Sequence, residues 1–92
     1  MREVNLRPRA VRDLRRIGRG PEQERVAVAL RELTEDTSNL DIKALTGATP
    51  WLRMRVGDYR VLDLATDEGY EIERIVHRRE LDRAVGTLST AG

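Results

Sequence analysis

Hydrophobic and polar positions alternate along residues 51 to 56, WLRMRV, with Leu52, Met54 and Val56 on one parity and Trp51, Arg53 and Arg55 on the other. A period of two marks a strand with one face toward a core. Gly57-Asp58 breaks the run as a two-residue hairpin turn, and Tyr59 to Thr66 resumes it. Asp67-Glu68-Gly69 turns the chain again, so Tyr70 to His77 completes a meander. Near the start, Glu3-Val4-Asn5-Leu6 alternates as a further strand, stopped by Pro8.

Between these strands the period changes. Val11, Leu14 and Ile17, with Ala10, recur at helical spacing, while Arg9, Arg12, Arg15, Arg16 and Arg19 fill the remaining positions. Pro8 suits the first turn of this helix and Gly18 or Gly20 its end. A second helix from about Glu22 to Glu35 carries Val26, Leu30 and Leu33 as its stripe, and the short link makes the pair an antiparallel hairpin. Residues 36 to 50, rich in Asn, Gly, Pro and hydroxyl groups, read as a loop pinned by Leu40, Ile42 and Leu45. Arg79 to Val85 reads as a short final helix.

The architecture these elements predict is α+β: an antiparallel four-stranded sheet, an N-terminal two-helix hairpin packed on one face, and a short C-terminal helix. One domain over residues 1–86, a flexible C-terminal tail over 87–92, and an opposite sheet face left open are expected. The length of 92 residues allows one core and no second domain. No apolar run reaches the ~18 residues of a membrane span. The opening MREVNLRPRA is charged where a leader would be apolar, and there is no cysteine, so a cytoplasmic setting is expected.

Charge refines this picture. The net charge is only +1, yet residues 1 to 20 carry seven arginines against Glu3 and Asp13, and residues 21 to 50 reverse the sign. Every basic residue but Lys43 is arginine. GC-rich coding is the plainer account of that usage, phosphate binding by guanidinium forks is the functional one, and composition alone does not separate them.

Strand parity brings candidate chemistry together. Arg53 and Arg55 point away from the helices, Arg60 falls across from them after the turn, and Arg74 and Arg78 share a parity on the last strand. With neighbouring strands, Arg53, Arg55, Arg60 and Arg78 converge in one patch that calls for an anion, because like charges across strands repel. Asp58, Asp63, Glu71, Glu73 and Glu80 offer ordinary ion pairs to any one of these arginines. His77, the one histidine, reads either as a general acid or base beside the cluster or as a strand cap. Tyr59 and Tyr70 read as core, and Trp51 as either core or a base-stacking surface. One histidine without carboxylates at ligand spacing makes no metal site, and no glycine-rich phosphate loop is present.

The order of elements, with R-x-R-x-G-D-Y-R-V-L at Arg53 to Leu62 and V-H-R-R-E at Val76 to Glu80, resembles the RelE/ParE toxin superfamily of bacterial toxin–antitoxin systems over residues 3 to 85. The resemblance implies a toxin held by a small antitoxin protein. In the RelE branch it implies a metal-independent endoribonuclease without a cofactor, which enters the ribosome and cuts mRNA by 2′-OH attack on the adjacent phosphate. Carried over by position, Arg53 falls where the family has a basic catalytic residue, Arg55 and Arg60 where it binds phosphate, and Arg78 where it stabilises the developing charge; with the residues read above, the expected catalytic set is Arg53, Arg60, Arg78, His77 and Asp82, His77 or Asp82 being the base, and Trp51, Arg55, Arg74 and Arg79 are expected to contact RNA. Leu81-Asp82 stands where a tyrosine usually follows this motif, and Trp51 where a basic residue is common. The ParE branch implies instead a non-enzymatic inhibitor of DNA gyrase. A third possibility is a module that binds RNA or antitoxin and cuts nothing.

Overall fold

The computed structural model describes residues 2–88. Strand β1 (Glu3–Leu6) is followed by helices α1 (Pro8–Ile17) and α2 (Pro21–Glu35). Then come β2 (Asp41–Ala44), β3 (Leu52–Val56), β4 (Tyr59–Ala65) and β5 (Gly69–His77). A 3-10 turn (Arg78–Glu80) leads into α3 (Leu81–Val85).

Local chemistry sets the element ends. Pro8 and Pro21 open the two long helices at positions whose N–H has no intrahelical partner. Gly18, at φ 79°, ends α1 in a left-handed conformation that side chains avoid, and its N–H donates to the Arg15 carbonyl. Gly57 takes φ 57° as the first of two residues between paired Val56 and Tyr59, as a type II′ hairpin turn requires.

The sheet has five strands in the order β1-β5-β4-β3-β2. β1 runs parallel to β5, and the other neighbours are antiparallel. Two expectations are corrected here. The segment expected to be loop contains β2, which extends the sheet from four strands to five by pairing Ile42 with Met54 and Lys43 with Arg53. The sheet is mixed rather than antiparallel, because the chain crosses over through the helix hairpin before the meander forms. Gly69 permits the parallel pair: a Cβ there would collide with the backbone of Glu3.

The main core lies between the helices and one sheet face. Ala10, Val26, Ala29, Leu30 and Leu33 meet Met54, Val61, Ile72 and Ile75, all buried. Ile72 and Ile75 both reach it because Glu73 is an extra residue in β5: Asp63 pairs with Ile72 and Leu62 with Arg74. That bulge is held from α1. Buried Asp13 accepts the Ile75 N–H at 2.9 Å and the Arg74 Nε at 2.7 Å.

The opposite face is not fully open, contrary to expectation. Leu45, Trp51, Leu62, Val76 and Ala84 form a second, smaller buried cluster, roofed by α3 and joined by Leu81, Val85 and Leu88. Thr87 is tied in as well, its hydroxyl accepting from Arg9 Nη2 at 2.8 Å. The remainder of the expected tail, residues 89–92, lies outside the described residues.

Candidate functional site

Beside the second cluster, the helix-free face of the sheet carries the arginines. Arg55 on β3 and Arg60 on β4 are direct cross-strand partners, and Arg53 lies across from Leu62, two positions along the same face. Arg78 follows the end of β5, where its backbone N–H donates to the Asp58 carbonyl at 2.7 Å, anchoring the 3-10 turn to the β3–β4 hairpin.

Arg60 is the electrostatic centre of this group. Its pKa is lowered, first by burial and then by repulsion from Arg55, Arg53 and Arg78, with Asp58 opposing the shift. Its Nη1 donates to the carbonyls of Gly57 at 2.9 Å and Tyr59 at 3.0 Å, which fixes the guanidinium and leaves its other nitrogens for a ligand. Partial compensation comes from two acids. Arg53 reaches Asp41 Oδ1 at 3.2 Å, while Arg78 and Asp58 are 3.7 Å apart with both side chains mostly exposed. An exposed pair of that kind contributes little and opens readily to a competing anion.

Next to the arginines a cleft of about 390 Å³ is lined by Lys43, Thr46, Arg53, Leu81, Asp82 and Val85, among others. Asp82, exposed on the first turn of α3, therefore shares a cavity with Arg53. A carboxylate beside guanidinium groups can accept a proton from a hydroxyl held against them.

Four residues assigned from the sequence are placed otherwise. Trp51 has the expected parity but is 2% exposed within the second cluster, so its ring fills core and presents no stacking face. Arg74, the cross-strand partner of Leu62, is drawn onto Asp13 of α1, and the hydrogen bond to that carboxylate raises its pKa. His77 pairs across strands with Tyr59 on the helix side, their rings edge to face at 5.5 Å, and its Nδ1 accepts the Arg79 N–H as a cap on the 3-10 turn. Arg79 is exposed on that turn, outside the group that acts on Arg60. Arg53, Arg55, Arg60, Arg78 and Asp82 are thus brought to one face, where Trp51 is buried as core, while Arg74, His77 and Arg79 lie outside the group.

Sequence reasoning passed over Lys43, hidden in a segment read as loop although Leu40, Ile42 and Ala44 alternate around it. Asp58, named from the sequence among the acids able to pair with these arginines, does meet Arg78. Among the described residues, no three His, Cys, Asp or Glu gather as a metal-binding group, and no helix is long and apolar enough to cross a membrane.

Residues 4–82 match the family described as the ParE toxin of the type II toxin–antitoxin system parDE. The fold is similar to the toxin in the RelB–RelE antitoxin–toxin complex of Methanococcus jannaschii, with TM-score 0.71 and 24% identity over 87% of this chain and 96% of that one. It is similar also to a chain of the DinJ–YafQ complex of E. coli, with TM-score 0.71 and 16% identity over 88% and 98%. The archaeal RelE–RelB complex of Pyrococcus horikoshii gives TM-score 0.65 and 22% identity over 84% and 94%. A comparison with curated proteins finds no significant sequence match.

Proposed function

Because the chain belongs to the ParE toxin family, within the RelE/ParE superfamily of type II toxins, we propose that it is a toxin that cleaves mRNA on the ribosome and is held inactive by an antitoxin protein. The observation that carries this reading is the crowding of Arg60 by Arg53, Arg55 and Arg78 on one open face. Such a cluster is tolerated at a cost and is relieved by a phosphate.

In the proposed reaction Asp82 accepts the proton of a ribose 2′-OH. The 2′-oxygen bonds to the adjacent phosphorus, the bond from phosphorus to the 5′-oxygen breaks, and that oxygen takes a proton from a water, which regains one from Asp82 and so restores the carboxylate. A 2′,3′-cyclic phosphate and a 5′-OH result. Negative charge grows on the non-bridging oxygens at the transition state, where Arg60 and Arg78 are preorganised to meet it, and one such donor is worth about 3 kcal/mol. Arg55 and Lys43 hold flanking phosphates, and Arg53 orients Asp82 from across the cleft. Asp82 takes the place of His77 as base because His77 lies on the far face of the sheet.

A second reading, gyrase inhibition without cleavage, is favoured by the ParE description of the matching family and by Leu81-Asp82 standing where a tyrosine is usual. Primer extension on a reporter mRNA after induction separates the two. Codon-phased cuts that vanish with Arg60→Ala or Arg78→Ala support cleavage. Intact mRNA with arrested DNA supercoiling supports gyrase inhibition and refutes it. The antitoxin partner is supported by the toxin–antitoxin complexes among the structural neighbours, and co-expression with the product of an adjacent reading frame tests it by loss of toxicity.

A further inference from the structure

Arg78 and Asp82 reach the site from beyond the end of β5, on short elements. Both side chains are exposed, and the ion pair of Arg78 with Asp58 is long at 3.7 Å. The 3-10 turn that carries Arg78 buries none of its three residues, and 3-10 geometry makes poor hydrogen bonds. α3 has five residues, too few for a helix to stand alone, and Glu80 at its start gives it no side-chain cap. Ala84 fastens the body of α3 to the second cluster. The placement of Arg78, and of Asp82 at the start of α3, therefore depends on what holds the turn.

Hydrogen bonds at its start hold it. The Arg78 N–H donates to the Asp58 carbonyl at 2.7 Å, and the Arg79 N–H donates to His77 Nδ1 at 3.2 Å. His77 thereby caps the turn, a task usually given to Asn, Asp, Ser or Thr. A histidine can do it only while Nδ1 carries no proton and the ring keeps its plane. That plane is set from the helix side: the ring meets Tyr59 edge to face at 5.5 Å, and Tyr59 packs on the main core. Open space lies beside the ring, in a cavity of about 90 Å³ lined by Asp13, Arg16, Ile17, Tyr59 and Glu80, among others. The Tyr59 contact and the hydrogen bond are thus what keep the ring from swinging.

We propose that His77 is a positioning residue of the cleavage site, acting through the turn from the opposite side of the sheet. It touches no substrate, because its ring lies with Tyr59 on the helix side while Arg53, Arg55 and Arg60 lie on the other. The contacts run from the main core through Tyr59 to the His77 ring, from Nδ1 to the Arg79 N–H, and along the turn to Arg78 and Asp82. Arg78 meets the charge that grows on phosphate and Asp82 takes the 2′-OH proton, so one tilt of the turn displaces both. A displacement of about 1 Å at reacting groups costs up to about 100-fold in rate. The inference rests on the cleavage reading and names a residue that sets its geometry.

The test compares wild type with His77→Asn, which keeps an acceptor and removes the ring, His77→Ala, which removes both, and His77→Phe, which keeps a ring and removes the acceptor. Each purified full chain is assayed for mRNA cleavage on ribosomes, as kcat and KM, for its thermal melt, and for amide exchange at Arg79. His77→Ala and His77→Phe are expected to lose about 10- to 100-fold in kcat with KM little changed, because Arg55 and Lys43 still bind flanking phosphates. Exchange at Arg79 is expected to quicken about fivefold in both, the equivalent of a lost helix cap. His77→Asn is expected to return most of the rate and of the protection. Should His77→Phe melt early, His77→Asn and His77→Ala are compared at a temperature where both are folded, since they differ in the acceptor. Equal rates for Asn and Ala overturn the proposal: if both are inactive, His77 is itself the base, and if both match wild type, the cap is idle. A loss of activity that tracks the melt across the variants also overturns it. If wild type makes no cuts, the cleavage reading fails and the cap is judged by exchange alone. Protection at Arg79 that survives in His77→Asn and is lost in His77→Phe then sustains the hold on the turn, and equal exchange in all the variants overturns it.

Discussion

Asp63 on β4 is 1% exposed, and neither carboxylate oxygen has a hydrogen-bond partner. It alternates with buried Val61 and lies across from Leu52 and Ile72, on the side of the sheet that faces the helices. Burial alone pushes its pKa up to about 7, because the charged form loses its water and gains nothing in return. In the unfolded chain an aspartate titrates near ~3.9. The native state therefore binds the extra proton between these values, and stability falls as pH rises through the window. Asp63's contribution is fully present below about pH 4 and is lost by about pH 7, at ~1.4 kcal/mol per pH unit, for a total of at most about 4 kcal/mol. That is a large share of the ~5–15 kcal/mol that holds a domain together. Urea unfolding of wild type and Asp63→Asn from pH 4.5 to 8.5 measures it, since the amide has the same shape and no titration. The stability gap should shift in favour of the variant by about 1.4 kcal/mol per unit up to pH 7 and then level off. Parallel curves across the whole range would show that the carboxyl is hydrated or paired, and the reasoning from burial would fail.

Other perturbations probe the parts that position the site. Asp13→Ala strands Arg74 and the Ile75 N–H in the interior, so it should cost about 3–5 kcal/mol in urea unfolding, and Asp13→Asn less. Gly69→Ala forces a Cβ into the Glu3 backbone; a cost of about 1–3 kcal/mol and faster amide exchange across β1 are expected, while unaltered exchange would contradict the close approach. Trp51→Ala should cost about 3–5 kcal/mol, as a core residue does, whereas a stacking residue would lose RNA affinity with its melting temperature intact. Arg60→Ala should abolish mRNA cuts and leave stability unchanged or up to about 1 kcal/mol higher, because a like charge facing Arg55 is removed; a marked loss of stability would make Arg60 structural.

The helix hairpin and the meander were legible because their signals are local. The 3.6-residue stripe of α1 and α2, the proline starts and the Gly57-Asp58 turn each act within a few residues. β2 escaped because four residues of edge strand, half of them exposed polar groups, look like loop until Met54 and Arg53 are beside them. The convergence of Arg53, Arg55 and Arg60 followed from strand parity and one hairpin register, both readable. His77 was misplaced because the bulge at Glu73 shifts every later parity count on β5 and leaves no mark in residue type, and Arg74 because Asp13, distant in the chain, captures it.

Residue order by itself determined the helices and the meander, the family motif and which of Arg53, Arg55 and Arg60 share a strand face, since backbone geometry imposes those periods wherever the chain goes. Tertiary structure decided what lies opposite each face. It set β1 parallel beside β5, roofed Trp51 with α3, drew Arg74 onto Asp13, left Asp63 without a partner and brought Asp82 to Arg53. Charge and burial depend on neighbours distant in the chain, so whether an arginine is a latch or a ligand site follows from packing.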